Sequence, residues 1–275
     1  MKIFSAASAL TIVLLFCAYS FIEPGFNYPV AQTFGNGKSL QVGEELLYEV
    51  SYSFIKLGQV RLKVLDKKTV NGKELYKTIA FIDSYSGVPF VTLHQTYEST
   101  IFSDFTPEFF RGTIREDKYK SYTEYYFDYK KSRIHIKKGK VEPPQVWTDS
   151  TTSLDIPYQD GLSIFYYARS NIGTSKSENV PCYVKEEKVF TKINYYDKVE
   201  DVSIDAVDYD INCLKLDGEM DFISIFGLTG YFEGWFSNDE AAIPIIAKMH
   251  VIIGNITLEL KEWKREGWTP PKFNN

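Results

Sequence analysis

At 275 residues the chain is long enough to bury one sizeable core, and its excess of acidic over basic residues, 36 to 31, argues against a nucleic-acid partner. Aromatic residues make up 16% of it, a content that favours sheet over helix. His94, His135 and His250 are its only histidines and stand in no metal or catalytic spacing, so no cofactor is expected and no metal.

The first twenty residues read as an export signal. Met1-Lys2 is a short basic start, Ala6 to Cys17 is an apolar run, and Ala18-Tyr19-Ser20 places small residues before a cut. A mature chain is expected to begin near Phe21 and to reside in the periplasm or cell envelope. The apolar run is shorter than the roughly 20 residues of a spanning helix, so after cleavage the protein is not expected to be transmembrane. A retained anchor is the rival reading. Lipidation at Cys17 ranks third, because Phe16 stands where a small residue is wanted. Without Cys17 two cysteines remain, Cys182 and Cys213, which export permits to pair and burial equally permits to stay free.

Residues 21–42, with Pro24, Gly25, Pro29, Gly35 and Gly37, read as a flexible leader. One β-rich domain is expected over 43–266. Leu46, Tyr48, Val50, Tyr52 and Phe54 alternate with more polar residues in its first strand. Gly58 marks a bend or bulge, and Val60, Leu62 and Val64 continue the alternation. Asn71-Gly72 is a strong hairpin signal before a strand over 75–82. Further strands are expected over 91–102, 109–116, 119–129 and 133–137, the last turned by Lys138-Gly139. Residues 142–159, with three prolines and a Thr/Ser cluster, then read as a long loop. A plain crossover is the favoured role for it, ahead of a lid.

The spacing next predicts a helix at about 160–171. Leu162, Phe165, Tyr166 and Arg169 fall on one face, and Ile164, Tyr167 and Ala168 cover the other. Asp160 caps its start, Arg169 suits its negative end, and Asn171 with Gly173 ends it. A helix apolar nearly all round is expected to be buried, here inside a sheet. Strands resume over 180–185, 188–196, 206–216, 230–236, 245–253 and 256–263, with Gly254-Asn255 turning the last hairpin. Residues 267–275 read as a loose tail. The expected fold is therefore mainly β: a large curved antiparallel sheet, half-barrel or open barrel, around one short helix.

Few residues suggest chemistry. Asp160 and Asp239 are the candidate functional carboxylates, but a helix cap explains the first and a turn the second. Ser163 lacks the glycine-flanked context of a serine nucleophile. Arg169 suits an anionic head group, or a neighbouring carboxylate. The six basic residues between Lys130 and Lys140 read as a solvated hairpin tip before they read as a lipid-binding patch.

Several short motifs together resemble a family of exported bacterial proteins catalogued as domain of unknown function 3108. They are Gly43-Glu44-Glu45-Leu46-Leu47-Tyr48 with Gly58; Gln159-Asp160 with Ser163, Tyr166-Tyr167 and Arg169; Trp235, Ser237, Asp239 and Pro244; and the hairpin around Gly254. Glu240-Ala241-Ala242 departs from the family pattern, in which a basic residue precedes the proline. The resemblance implies an architecture similar to the half-barrels of periplasmic lipoprotein carriers, and no particular activity.

The expected function is a non-enzymatic envelope protein that binds a lipid or other amphipathic ligand in the hollow of its sheet. Asp160, Ser163, Tyr166, Tyr167, Arg169, Trp235 and Asp239 are its candidate ligand contacts. A structural module holding an envelope protein or a glycan is the alternative. A small outer-membrane barrel and an enzyme built on Asp160 and Asp239 rank lower.

Overall fold

A computed structural model describes residues 40–88, 92–116, 118–224, 227–251 and 254–274. The expected signal segment and residues 21–39 of the leader lie outside the described residues. What is described falls within one compact unit, Thr33–Asn275.

Alternation of apolar and polar residues becomes, among the described residues, fourteen strands and one helix. Eight strands come first: β1 (Glu45–Tyr52), β2 (Ile55–Val70), β3 (Lys73–Ser84), β4 (His94–Phe102), β5 (Pro107–Arg115), β6 (Lys120–Asp128), β7 (Arg133–Lys140) and β8 (Gln145–Ser153). The helix α1 (Ser163–Asn171) follows, then β9 (Ser177–Val184), β10 (Glu187–Val202), β11 (Ile211–Met220), β12 (Leu228–Ser237), β13 (Pro244–Val251) and β14 (Gly254–Lys264). All belong to one sheet, in the order β8-β7-β6-β5-β4-β3-β2-β1-β14-β13-β12-β11-β10-β9. The chain walks from the centre to one edge. It returns from the other edge until β14 pairs with β1, Tyr48 opposite Leu260.

That order requires residues 154–176 to carry the chain from one edge to the other. They manage it because the sheet curls until its edges face each other. Gln159 forms a parallel bridge to Cys182 of β9. Across the seam, Lys138 of β7 pairs with Glu186 at 2.9 Å, Tyr125 donates to the same carboxylate at 2.8 Å, and Lys188 pairs with Asp155. No ladder joins β8 to β9, so the sheet is barrel-like without being closed into a barrel.

The inside is aromatic and aliphatic. Tyr97, Phe110, Tyr125 and Tyr183 are almost fully buried, Phe110 and Tyr125 stacking at 5.4 Å and Tyr125 meeting Tyr183 edge-on at 5.0 Å. α1 lies within this hollow. Leu162 and Tyr166 pack with the β3–β7 side, and Ala168 and Ile172 with the β9–β12 side. Outside, Glu98, Arg111, Glu124, Lys137 and Asp149 stand opposite one another across β4 to β8 as a ladder of alternating charge.

Several boundaries differ from the sequence reading. Residues 142–159 are not one long loop, because β8 occupies 145–153. It is an edge strand, exposed along most of its length, so no apolar period marks it. The preceding turn falls at 141–144 rather than at Lys138-Gly139, which form a bulge inside β7. β11 begins at Ile211 rather than 206, since Val207 and Tyr209 pack from a turn instead of pairing. Gly254 opens β14 opposite Val251, so it does not form the hairpin turn. At the leader's end, Leu40 is already in the core. The tail is not loose. Asn212 and Phe273 donate backbone bonds to Pro271 and Asp210, and Trp268 donates to Asp239 at 2.8 Å.

Two glycines are required by geometry. Asn71 and Gly72 both have positive φ, 51° and 79°, the twist a two-residue hairpin turn needs. Gly58 faces β3 so closely that a Cβ there would meet the Asp83 carbonyl oxygen at 2.2 Å.

Candidate functional site

α1 is fixed at both ends. At its start, Asp160 sits two residues ahead of Leu162 and accepts from the Leu162 and Ser163 amides, each at 2.7 Å. It caps the leading turn rather than the helix proper, which begins at Ser163. Its second oxygen accepts from Ser99 of β4 at 2.5 Å, so the cap is also a tie to the sheet. Burial pushes this carboxyl up to about 6, although the bonds from Ser99, Ser163 and Leu162 pull it down.

At the far end Arg169 is buried and fully engaged. Its guanidinium holds Glu44 through both oxygens, at 2.6 and 2.9 Å, and donates to the Ala241 carbonyl at 2.7 Å. Arg265 reaches the same carboxylate from the end of β14. Burial alone would raise the Glu44 carboxyl, but Arg169 and then Arg265 outweigh it and hold it below the usual range. Leader end, helix, β14 and the β12–β13 turn thus meet at one buried carboxylate.

The other residues marked from sequence are also packed within the protein, and all but the buried Tyr166 hydroxyl have polar partners among the described residues. Ser163 is buried and accepts from the Asp160 amide at 2.8 Å. Tyr166 is buried near Thr78 and Glu44, and Tyr167 bonds Glu178 at 3.2 Å. Asp239 shapes the β12–β13 turn, accepting from Ser237 and from the amides of Ala241 and Ala242. Trp235 lies on the outer face, where it bonds Glu200 at 2.7 Å and carries Lys215 and Lys248 over its ring. The fold brings Asp160 and Ser163 together. It also joins Arg169 to the Asp239 turn through Ala241. The seven do not form one pocket.

The pocket lies beside them. Between α1 and the β1–β4 and β10–β14 wall is a cavity of about 230 Å³. Ile164 and Phe165 of α1 face Val60, Ile82, Phe232 and Met249 across it, and only Gln95 and Thr191 add polar side chains apart from the Tyr48 hydroxyl, the Glu233 carboxylate being turned to Lys215 on the outer face. That hydroxyl is satisfied by the Pro244 carbonyl at 2.9 Å. The helix therefore fills only part of the hollow. None of the seven marked residues lines the cavity. Its lining consists of ordinary inward-facing positions, which sequence periodicity assigns to core without distinguishing core from cavity wall.

A second depression, of about 950 Å³ and open to solvent, lies at the opposite end of the strands. Lys68, Lys73 and Lys130 rim it beside Phe102, Phe109 and Tyr126. Cys182 and Cys213 are free and buried on β9 and β11, and burial pushes each thiol up to about 12. Among the described residues, no three His, Cys, Asp or Glu side chains converge as metal ligands.

A family model described as Protein of unknown function (DUF3108) matches residues 47–261. No curated protein matches the chain. Among solved structures, the chain is similar to a beta-barrel-like protein of the DUF1849 domain from Brucella abortus, at 11% identity and a TM-score of 0.47, over 80% of this chain and 96% of that one. A candidate lipoprotein from Parabacteroides distasonis matches at 13% identity and a TM-score of 0.36, over 82% and 96%. A candidate exported protein with a YmcC-like fold from Bacteroides fragilis matches at 10% and 0.34, over 83% and 99%.

Proposed function

The chain belongs to the DUF3108 family, and from that premise we propose that it is an exported, non-enzymatic envelope protein that holds one apolar chain of a lipid or other amphiphile inside its curled sheet. The observation that carries this reading is the apolar cavity left between α1 and the sheet. An apolar cavity of roughly 150 Å³ stays dry and admits a small hydrocarbon, and drug-sized ligands occupy roughly 300–1,000 Å³. About 230 Å³ lies between, which suits part of one acyl chain rather than a whole lipid. The ladder of alternating charge on the outer face favours a water-facing wall over a lipid-facing one. No described helix is long and apolar enough to cross a membrane.

Native mass spectrometry of protein purified without strong detergent tests the reading. The protein is expected to carry a lipid-sized adduct, and Ala247→Phe, which places a ring in the cavity, is expected to carry none. Adduct-free wild type under gentle conditions would defeat the proposal.

The open depression favours a second reading, an interaction module for an anionic glycan or protein segment. Its three lysines outnumber the two carboxylates of its lining, Glu108 and Asp128, and the Phe109–Tyr126 pair, 4.8 Å apart, offers a stacking face. Loss of an envelope partner on Lys73→Glu with Lys130→Glu, with lipid content unchanged, would favour this module.

A further inference from the structure

We infer that the end of the sheet carrying the β1–β2, β3–β4, β11–β12 and β13–β14 connections rests on a lipid bilayer, and that the ligand enters the cavity from it. The entry step rests on the cavity reading above, whereas the docking step does not.

Antiparallel pairing places these four connections at one end, and the sheet order makes them neighbours. Contacts confirm the adjacency. The Tyr52 ring lies against Gly254, where a Cβ would meet it at 2.7 Å, and the Tyr85 amide donates to the Leu57 carbonyl at 2.9 Å. Large apolar side chains project here: Phe54 is 89% exposed, Ile55 46% and Ile223 43%. Among the described residues of the four connections, Asp221 is the one charge. The other three connections at the same end contrast with this, carrying Glu116 and Lys118, Glu142, and Lys185 and Glu186.

Three features point to a bilayer rather than a protein partner. Phe54 and Ile55 stand together at the β1–β2 turn and Ile223 in the β11–β12 connection, so they can enter a fluid phase as two separate points. Tyr52, Tyr85 and Tyr231 are partly exposed behind them, at the depth where amphipathic rings favour the membrane interface. Charged side chains nearby are few, Lys56 pairing with Glu49 and the His94 ring lying against Asp83, so the apolar side chains meet a surface with little charge of its own. The cavity reaches this end, since Leu93, Met220 and Ile256 line it from the strand termini.

Flotation with vesicles of phosphatidylethanolamine and phosphatidylglycerol tests the inference, using the chain from Phe21 onward, which contains the whole compact unit. Wild type is expected to float with the vesicles, with little response to added salt. Phe54→Ser with Ile223→Ser is expected to lower vesicle partition roughly tenfold or more, with an unchanged urea midpoint. Equal flotation of wild type and the double variant, or no flotation of either, overturns the docking step. Ala247→Phe separates the two ideas: flotation without a lipid adduct supports both, and flotation with a full adduct leaves docking standing and removes the cavity reading.

Discussion

Asp160 and Glu44 are both buried carboxylates, and they impose opposite pH dependences. Burial raises the folded pKa of Asp160 to about 6, above its ordinary value of 3.8. The folded state therefore binds this proton more tightly than the unfolded chain. The resulting stabilisation is full below about pH 4 and is lost as pH rises through about 6. Asp160→Asn is expected to remove that slope, so wild type should lose on the order of 2 kcal/mol relative to the variant between pH 4 and 7 in urea titrations. Glu44 is held low by its two arginines, so its contribution is present above the ordinary carboxylate range and lost as pH falls through the lowered value. Glu44→Gln strands the buried Arg169 charge and is expected to cost about 3–5 kcal/mol in the same titrations at pH 7, whereas Arg169→Met leaves Glu44 its Arg265 partner and is expected to cost less. A cost below about 1 kcal/mol would mean that water reaches the cluster. Of these roles, the Asp160 cap was legible, because capping is local: an acid directly before an apolar helical period. The Glu44 role was not. Its partner lies 125 residues away, and no periodicity links them.

Elements with a local signature were readable, and those defined by distant pairing were not. The Asn71-Gly72 turn needs two positive φ values and names its own residues, so β2 and β3 were found from two letters and their flanks. α1 was found because its apolar spacing contradicts the surrounding alternation. β8 was missed because only β7 pairs with it and neither of its faces is buried. Gly58 read as a bend, yet its constraint is the approach of β3. Gly58→Ala is expected to destabilise by more than about 3 kcal/mol, since the new methyl group meets backbone rather than a movable side chain. The check is a thermal melt beside Gly43→Ala. Gly43 has positive φ, which Gly58 has not, but nothing lies within 4 Å of its would-be Cβ, so its loss should be backbone strain alone and smaller. The tail was misread for a related reason: Gly267 and two prolines suggest looseness, while the bonds that hold the segment come from Asn212 and Asp239.

At the scale of the molecule, a curled sheet around one buried helix was legible from alternation, aromatic content and a single change of period. The size of the gap between helix and sheet was not. It is the difference between two large volumes, the hollow and α1, and depends on how far fourteen strands bend. Cys182 and Cys213, left open by the sequence, remain thiols because they are buried on strands that are not neighbours, Cys182 facing the hollow and Cys213 the layer formed by Tyr209 and Trp268 on the outer face; neither is expected to react with a thiol reagent until the protein unfolds, which a mass measurement would show. The gap beside Ile164 and Phe165 is expected to accept hydrocarbon. The most direct test is a calorimetric titration of lipid-stripped protein with a medium-chain fatty acid, repeated at several temperatures. Saturable binding of one chain with a negative heat-capacity change, abolished by Ala247→Phe, is the predicted result. Absence of binding, or binding that Ala247→Phe leaves intact, would contradict it.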